Sequence, residues 1–307
     1  MSRPPKGKSE PHRAGFVSIL GRPNAGKSTL LNALVGQKIA IVASRPQTTR
    51  TAIQGVVTLP DAQIVFVDTP GIHKSDTLLN KRMMNAVRAS LDADVTLFLV
   101  DSLAPFREED AQAADLTKKI EGPVIAVFNK IDALKEKPKL LALIDRYRSL
   151  HDFAAYIPVS GLTGEGLEAL RDEIVKRLPE GPALFPEDRV TDQPERFLAA
   201  EILREKILHL TRQEIPHAIA VMIENWEDQP TLLRIAASIY VERPGQKTIL
   251  IGAGGSLLKR IGTLARQEME KVFGKKVFLQ TLVKVRPRWR EDPEFLEASD
   301  WRKMVGN

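Results

Sequence analysis

Short apolar runs punctuated by polar residues recur along the first 178 positions: Phe16–Leu20, Ile53–Thr58, Ile64–Asp68, Val95–Val100, Pro123–Phe128 and Ala155–Val159. Several are apolar without strict alternation, the pattern of strands covered on both faces. Between them, apolar residues at three- and four-residue spacing predict helices over Thr29–Val35, Leu79–Leu91, Glu108–Ile120, Pro138–Ser149 and Gly166–Arg177. This alternation predicts an α/β domain with a doubly wound, mostly parallel sheet over residues 14–178, preceded by a disordered polar tail, 1–13. From Pro179 to Pro194 the periodicity gives way to Pro, Gly, Asp and Glu, which reads as a linker. A second, α+β unit follows over 195–290. It has a helix Glu195–Leu210, strand-like stretches Ala218–Trp226 and Leu232–Glu242, a glycine cluster, a helix Leu257–Phe273 and a strand Lys276–Val285. Residues 291–307 are left as a C-terminal tail.

Composition narrows the setting. The 307-residue chain is 43% apolar, enough for two cores. It has no cysteine, which excludes disulfides and thiolate metal sites and suits a reducing cytosol. The polar N-terminal stretch is no secretory signal, and no segment approaches the roughly 18 apolar residues that span a bilayer. The expectation is a cytoplasmic, soluble protein, at most peripheral to a membrane. The net charge of +6 is unevenly placed: residues 245–290 carry 11 Lys or Arg against 2 acidic residues, a net of +9, leaving −3 elsewhere. A basic region on an otherwise acidic chain points to a polyanion site in the second unit.

The chemistry concentrates at strand ends. Gly21-Arg22-Pro23-Asn24-Ala25-Gly26-Lys27-Ser28, followed by Thr29, spells a phosphate-binding loop between a strand and a helix. Its glycines let successive N–H groups turn toward phosphate oxygens at a helix N-terminus. In that pattern Lys27 reaches the β- and γ-phosphates, and the Ser28 hydroxyl ligates Mg²⁺. At the end of the third strand stands Asp68-Thr69-Pro70-Gly71, where Asp68 can hold the Mg²⁺ shell through water and the Gly71 N–H can meet the γ-phosphate. After the fifth strand, Asn129-Lys130-Ile131-Asp132 offers a carboxylate that can accept both N1–H and the 2-amino group of guanine; adenine has neither donor. Asn129 and Lys130 would brace that loop, and a backbone N–H of Ser160-Gly161-Leu162 can meet the guanine carbonyl. The expected ligands are therefore GTP or GDP with Mg²⁺.

In the second unit, Gly252-Ala253-Gly254-Gly255 forms a Gly-x-x-Gly turn between two helical segments, able to lie against a nucleic-acid backbone. The loop itself has no cation, so charge must come from Lys259, Arg260, Arg266 and Lys284, with base contacts falling on an apolar groove around Ile249 and Leu257. Beyond the last strand, Lys284-Val285-Arg286-Pro287-Arg288-Trp289-Arg290 interleaves four cations with an indole. Trp289 there is either a stacking plane for an unpaired base or a staple packed back on the domain.

The motifs in their order resemble the translation-factor-like GTPases over 14–178, and the order of elements in the second unit resembles a type II KH domain. Together with Gln47-Thr48-Thr49-Arg50, Phe185-Pro186-Glu187-Asp188, Arg204-Glu205-Lys206 and Glu242-Arg243-Pro244-Gly245-Gln246-Lys247, they resemble the Era family over about 14–295. That resemblance makes Arg45–Arg50 the first switch, with Thr49 completing Mg²⁺ coordination and Thr48 as the alternative. It casts Lys27, Thr49 and Gly71 in the hydrolytic step. Ile72 stands where many GTPases have a Gln that orients water, which implies slow hydrolysis in isolation. His73 is given no role. Asn24 matches the position that accompanies K⁺ stimulation in related GTPases. The family further implies binding near the 3′ end of 16S ribosomal RNA, a role in 30S assembly, peripheral contact with the inner membrane, and a monomer. A GTPase whose basic domain binds a protein or an anionic membrane is the alternative, since phosphates in lipid and RNA look alike to lysine.

Overall fold

A computed structural model of the chain describes residues 12–43, 48–68, 77–89, 92–211, 215 and 218–300. Six strands build the first unit: β1 (Arg13–Gly21), β2 (Ile53–Thr58), β3 (Ala62–Asp68), β4 (Val95–Asp101), β5 (Val124–Asn129) and β6 (Ala155–Pro158). Their spatial order is β2-β3-β1-β4-β5-β6, antiparallel only where β2 meets β3. The apolar runs are continuous because both faces are covered. Val17, Ile19, Phe66, Leu97 and Val127 meet α1 (Lys27–Val35) and α5 (Leu167–Val175) on one face. Phe98, Val100, Ala126 and Phe128 meet α3 (Glu108–Thr117) and α4 (Lys137–Arg148) on the other. Register pairs Ile19 with Asp68 and Asp101 with Asn129, so the polar residues ending these strands gather at the carboxyl edge of the sheet. Ligands of open α/β sheets bind at that edge.

Helix α3 stops short of the expected Ile120. The Thr117 hydroxyl bonds back to the Ala114 carbonyl (2.6 Å), and the N–H groups of Lys119 and Ile120 reach only three residues back. That is the tightened turn with which helices commonly end. The proline-rich segment 179–194 adheres to the first unit. Gln63 of β3 holds the Phe185 carbonyl and the N–H groups of Leu184 and Phe185 at 2.7–2.9 Å. Val56 donates to the Val190 carbonyl, and the Thr191 hydroxyl donates to the Gln54 carbonyl. The segment thus covers the free edge of β2 before the chain enters α6 (Glu195–Leu210).

The second unit continues through β7 (Ala220–Asp228), β8 (Leu232–Val241), α7 (Pro244–Ile251), α8 (Ser256–Phe273) and β9 (Lys276–Val285). The sheet order is β7-β8-β9, with β9 parallel to β8. Residues 291–298, left as tail by the sequence pattern, are folded: α9 (Pro293–Ala298) starts at Asp292, whose carboxylate accepts the Phe295 N–H (3.1 Å), with Pro293 as the first helical residue.

Two seams join the units. At one, Ile41 from the first unit is a member of the apolar core of the second, among Ala199, Leu203 and Leu208 of α6. At the other, Leu79 and Met83 of α2 (Leu78–Ala89) pack with Trp289, Phe295 and Leu296. Both segments of the first unit that follow phosphate-contacting motifs in sequence therefore rest on the second unit.

Candidate functional site

The phosphate loop is shaped by positive φ at Asn24 (64°) and Gly26 (97°). A side chain at Gly26 would put its Cβ 2.4 Å from Asn129 Nδ2, so the close approach of two loops demands glycine there. Asn129 is a buried brace. Its Nδ2 donates to the Ala25 carbonyl (2.9 Å), and its Oδ1 accepts the Gly161 N–H (2.9 Å), tying the phosphate loop to the loop after β6. Lys130 completes the frame by donating to the Asn24 carbonyl (2.8 Å) and to Asp101 (2.6 Å). Asp132 accepts a 2.6 Å bond from the Ser160 hydroxyl and is otherwise exposed. Among the three N–H groups expected near a base carbonyl, Ser160 is committed to the Glu165 carbonyl and Gly161 to Asn129. Leu162, with only a 3.3 Å contact to the Ser160 hydroxyl, can exchange its partner most easily.

Lys27 is buried, and its ammonium donates to the carbonyls of Gly21 and Arg22, both at 3.1 Å. Burial pushes its pKa down, against the attraction of Asp68. Asp68 is fully buried and pushed the other way by desolvation; Lys27 and the hydroxyls of Ser28 and Thr49 oppose that rise. Its Oδ2 accepts from Ser28 (2.8 Å) and Thr49 (3.2 Å), whose hydroxyl oxygens are 2.9 Å apart, while Oδ1 has no hydrogen-bond partner. A buried, half-satisfied carboxylate beside two converging hydroxyls is a hard-oxygen donor set that fits Mg²⁺. Thr49 is thereby distinguished from Thr48, whose hydroxyl donates instead to the Ala43 carbonyl (3.1 Å). Thr29 continues α1 behind Ser28 and, with Asn24, Gly26 and Lys27, lines a pocket that Ile41, Val42, Thr48 and Thr49 close from the other side. Gly71, Ile72 and His73, and the first-switch residues Arg45, Pro46 and Gln47, lie outside the described residues.

Sequence patterns did not assign roles to the side chains that hold the described switch residues. Arg204 of α6 is buried, forks onto Glu201 at 2.6 and 2.7 Å, and also donates to the Thr48 carbonyl. Arg50 donates to the Ile219 carbonyl (2.6 Å) and lies over the Trp289 ring at 5.5 Å. Its pKa is pushed down to about 9 by burial first, then by repulsion from Arg204, with Glu201 opposing and Arg290 adding. Glu205 accepts the Val42 N–H (2.8 Å) and binds Lys38 and Lys206, and Glu268 joins both lysines. Burial would raise the Glu205 carboxyl; the bonds from Lys206, Lys38 and Val42 outweigh it and hold the group below the usual carboxylate range. The signal available was charge among the apolar positions of an amphipathic helix: Arg204 and Glu205 are buried alongside Leu203 and Ile207.

The second unit carries a groove lined by Gly255, Leu258, Lys259, Gly262, Thr263, Arg266, Leu279 and Thr281. The turn before it has positive φ at Gly252 (72°), Gly254 (57°) and Gly255 (79°), and a Cβ on Gly252 would come 2.9 Å from that of Leu257. Ala253 and Gly254 occupy the turn itself, Ile249 is exposed beside it, and Arg260 is exposed on α8 next to Lys259. Two expectations need correction. Lys284 faces the other side of the sheet, where it pairs with Glu224 (3.0 Å) and lies over Tyr240, because alternation along β9 sends Leu279 and Val283 toward the helices and Lys284 away. Trp289 is the staple: 2% exposed, it donates Nε1–H to the Ala218 carbonyl (2.9 Å) and packs against Phe295, so it offers no stacking plane. Its neighbouring cations are also committed, Arg286 to Asp292 and Arg290 to Glu242.

Known proteins match in the same two parts. A family described as a 50S ribosome-binding GTPase matches residues 16–130, and a KH-domain family matches 214–290. The GTPase Era of Syntrophus aciditrophicus is 48% identical over 287 residues, spanning 92% of this chain and 94% of that protein. That of Geobacter metallireducens is 47% identical, spanning 94% and 97%. Among solved structures, a point variant of Aquifex aeolicus Era bound to GDP·AlF4⁻ superposes with a TM-score of 0.90 at 43% identity, covering 94% of this chain and 99% of that one. An Era complex with MgGDPNP and nucleotides 1506–1542 of 16S ribosomal RNA superposes with a TM-score of 0.91 at 42% identity, with the same coverage.

The Asp132 carboxylate, expected to face the base, gives a direct test. Asp132→Asn removes the acceptor for two guanine donors and introduces an amide donor. Affinity for GTP is expected to fall at least 100-fold, roughly 3 kcal/mol, while affinity for xanthosine triphosphate, which presents a carbonyl in place of the 2-amino group, rises. Unchanged selectivity in competition binding would remove Asp132 from the base site.

Proposed function

The chain belongs to the Era family of GTPases, and on that premise we propose that it is a slow GTP-hydrolysing switch that binds 16S ribosomal RNA near its 3′ end and assists assembly of the small ribosomal subunit. The observation that carries this reading is the physical continuity between the two sites: the described residues around Thr49 touch the phosphate-loop serine on one side and the RNA-binding unit on the other.

In this reading the N–H groups of Asn24 to Thr29 cradle the phosphates, and Lys27 gives up its two carbonyl partners for phosphate oxygens that neutralise it. Ser28 and Thr49 would present hydroxyls, and Asp68 through water a carboxylate, to Mg²⁺, which when bound would supply charge neutralisation at the phosphates. Asp132 and the Leu162 N–H select guanine. Gly71 senses the γ-phosphate through its N–H. Ile72 can neither donate nor accept a hydrogen bond, so no side chain at that position orients the attacking water, and turnover stays slow without a partner. The RNA strand runs along the groove beside Gly252–Gly255, with Lys259 toward phosphates, Arg266 joining it on leaving Glu270, and Arg260 at the rim. The monomer works in the cytoplasm on the 30S precursor and touches the inner-membrane surface peripherally. Among the described residues no helix is long and apolar enough to cross a membrane.

Crosslinking of the full-length chain in cells, with sequencing of the attached RNA, should recover fragments clustered at the 3′ end of 16S RNA. Fragments spread evenly over all RNA, or none above background, would favour a protein or anionic membrane surface as the partner of the basic domain. We also propose that K⁺ assists hydrolysis through Asn24, whose left-handed backbone is fixed by the Lys130 bond to its carbonyl. Turnover in K⁺ should exceed that in Na⁺ at equal ionic strength, and Asn24→Ala should abolish the difference; equal rates for the unaltered chain sink the idea.

A further inference from the structure

The Thr49 hydroxyl reaches both Ser28 and Asp68. A threonine in a polar loop needs its backbone fixed to hold such a position, because ordering a freely rotating residue costs conformational entropy. The fixing contacts come from the KH domain on both sides of it. On one side Arg204 holds the Thr48 carbonyl, and Arg204 is itself clamped by a two-pronged bond to Glu201 on its own helix. On the other, Arg50 is anchored to the Ile219 carbonyl and the face of Trp289. Farther upstream, Val42 is held at its N–H by Glu205 and at its carbonyl by His209, and Ile41 is sunk in the KH core.

Resting on the reading of Thr49 as the metal ligand, we propose that helix α6 of the KH domain is a positioning element of the nucleotide site: Arg204, oriented by Glu201, acts from outside the GTPase domain and, with Arg50 anchored on Ile219 and Trp289 of the second unit, sets the Thr49 hydroxyl at the Mg²⁺ position. None of the three touches phosphate or metal. Their role is that of outer partners that orient a ligand, whose loss typically lowers metal affinity 10- to 100-fold. The affinity of the GTPase site for Mg²⁺ is then partly a property of the RNA-binding domain, and any RNA that shifts α6 changes it.

The test is a Mg²⁺ titration of the dissociation rate of a fluorescent, non-hydrolysable GTP analogue from the full-length chain. Thr49→Ala and Arg204→Ala are each expected to raise the Mg²⁺ midpoint about tenfold, Arg204→Lys less, and dissociation in excess chelator is expected to stay as in the unaltered chain. The double variant should have the midpoint of Thr49→Ala alone, because Arg204 acts only through that hydroxyl; a purely structural role would give additive shifts. In the nucleotide-free chain, Arg204→Ala should also speed backbone hydrogen exchange at residues 48–50. Should Arg204→Ala unfold because the part-buried Glu201 is left without its partner, Glu201→Gln combined with Arg204→Met removes both charges at similar volume, and the same midpoint shift is expected of it. A shifted midpoint for Thr49→Ala with an unshifted one for the Arg204 variants, or additive shifts in the double variant, overturns the inference alone. A Thr49→Ala midpoint equal to that of the unaltered chain overturns the metal-ligand reading, and the inference with it.

Discussion

One carboxylate organises the nucleotide end of the molecule. Asp68 ends β3 fully buried, faces the buried ammonium of Lys27, and spends one oxygen on the hydroxyls of Ser28 and Thr49 while the other has no hydrogen-bond partner. Burying such groups is expensive unless they are paired and bonded. In the proposed reading their conflicting demands, burial lowering the lysine's pKa and raising the carboxylate's, would be relieved together by a phosphate and a divalent cation. The protein thus stores unfavourable electrostatics at the spot where the ligand supplies opposite charge.

From Asp68 the same bonds lead outward. Thr49 is its partner, Thr48 and Arg50 flank Thr49, and both are held by the KH domain. A second route runs through α2, which begins shortly after the Asp68–Gly71 motif and packs on Trp289, Phe295 and Leu296. A change at the γ-phosphate therefore meets two packed seams, and packed seams answer by switching between arrangements more readily than by bending. The segment 179–194, fastened by Gln63 and Thr191, keeps the chain on the edge of β2 until it enters α6.

Much of this was legible in the sequence because it is local. A glycine loop between a strand and a helix, and polar residues ending apolar strands, declare their roles through neighbours a few positions away. The strands covered on both faces, the helix Glu195–Leu210 and the last strand Lys276–Val285 were readable for the same reason. What escaped was long-range. Nothing near Arg50 in the chain announces Ile219, and nothing near Arg204 announces Thr48; those partners are 169 and 156 residues away. Charge counting misled for a related reason. Arg286 and Arg290 look like phosphate ligands until Asp292 and Glu242 are seen to hold them. Lys284 depended on strand parity, which a one-residue shift in the register of β9 would have reversed.

In the proposed reading the GTP site and the RNA site are one thermodynamic system joined through Thr49 and α6. Linkage makes it measurable: the ratio of RNA affinities with a GTP analogue and with GDP must equal the ratio by which the RNA changes the relative affinity of those two nucleotides. The measurement is a complete binding cycle on the full-length chain, with an RNA matching the 3′ end of 16S RNA, titrated in both nucleotide states at fixed salt and Mg²⁺. The account predicts tighter RNA binding with the GTP analogue and the same factor on the nucleotide side. Equal RNA affinity in the two states would contradict it.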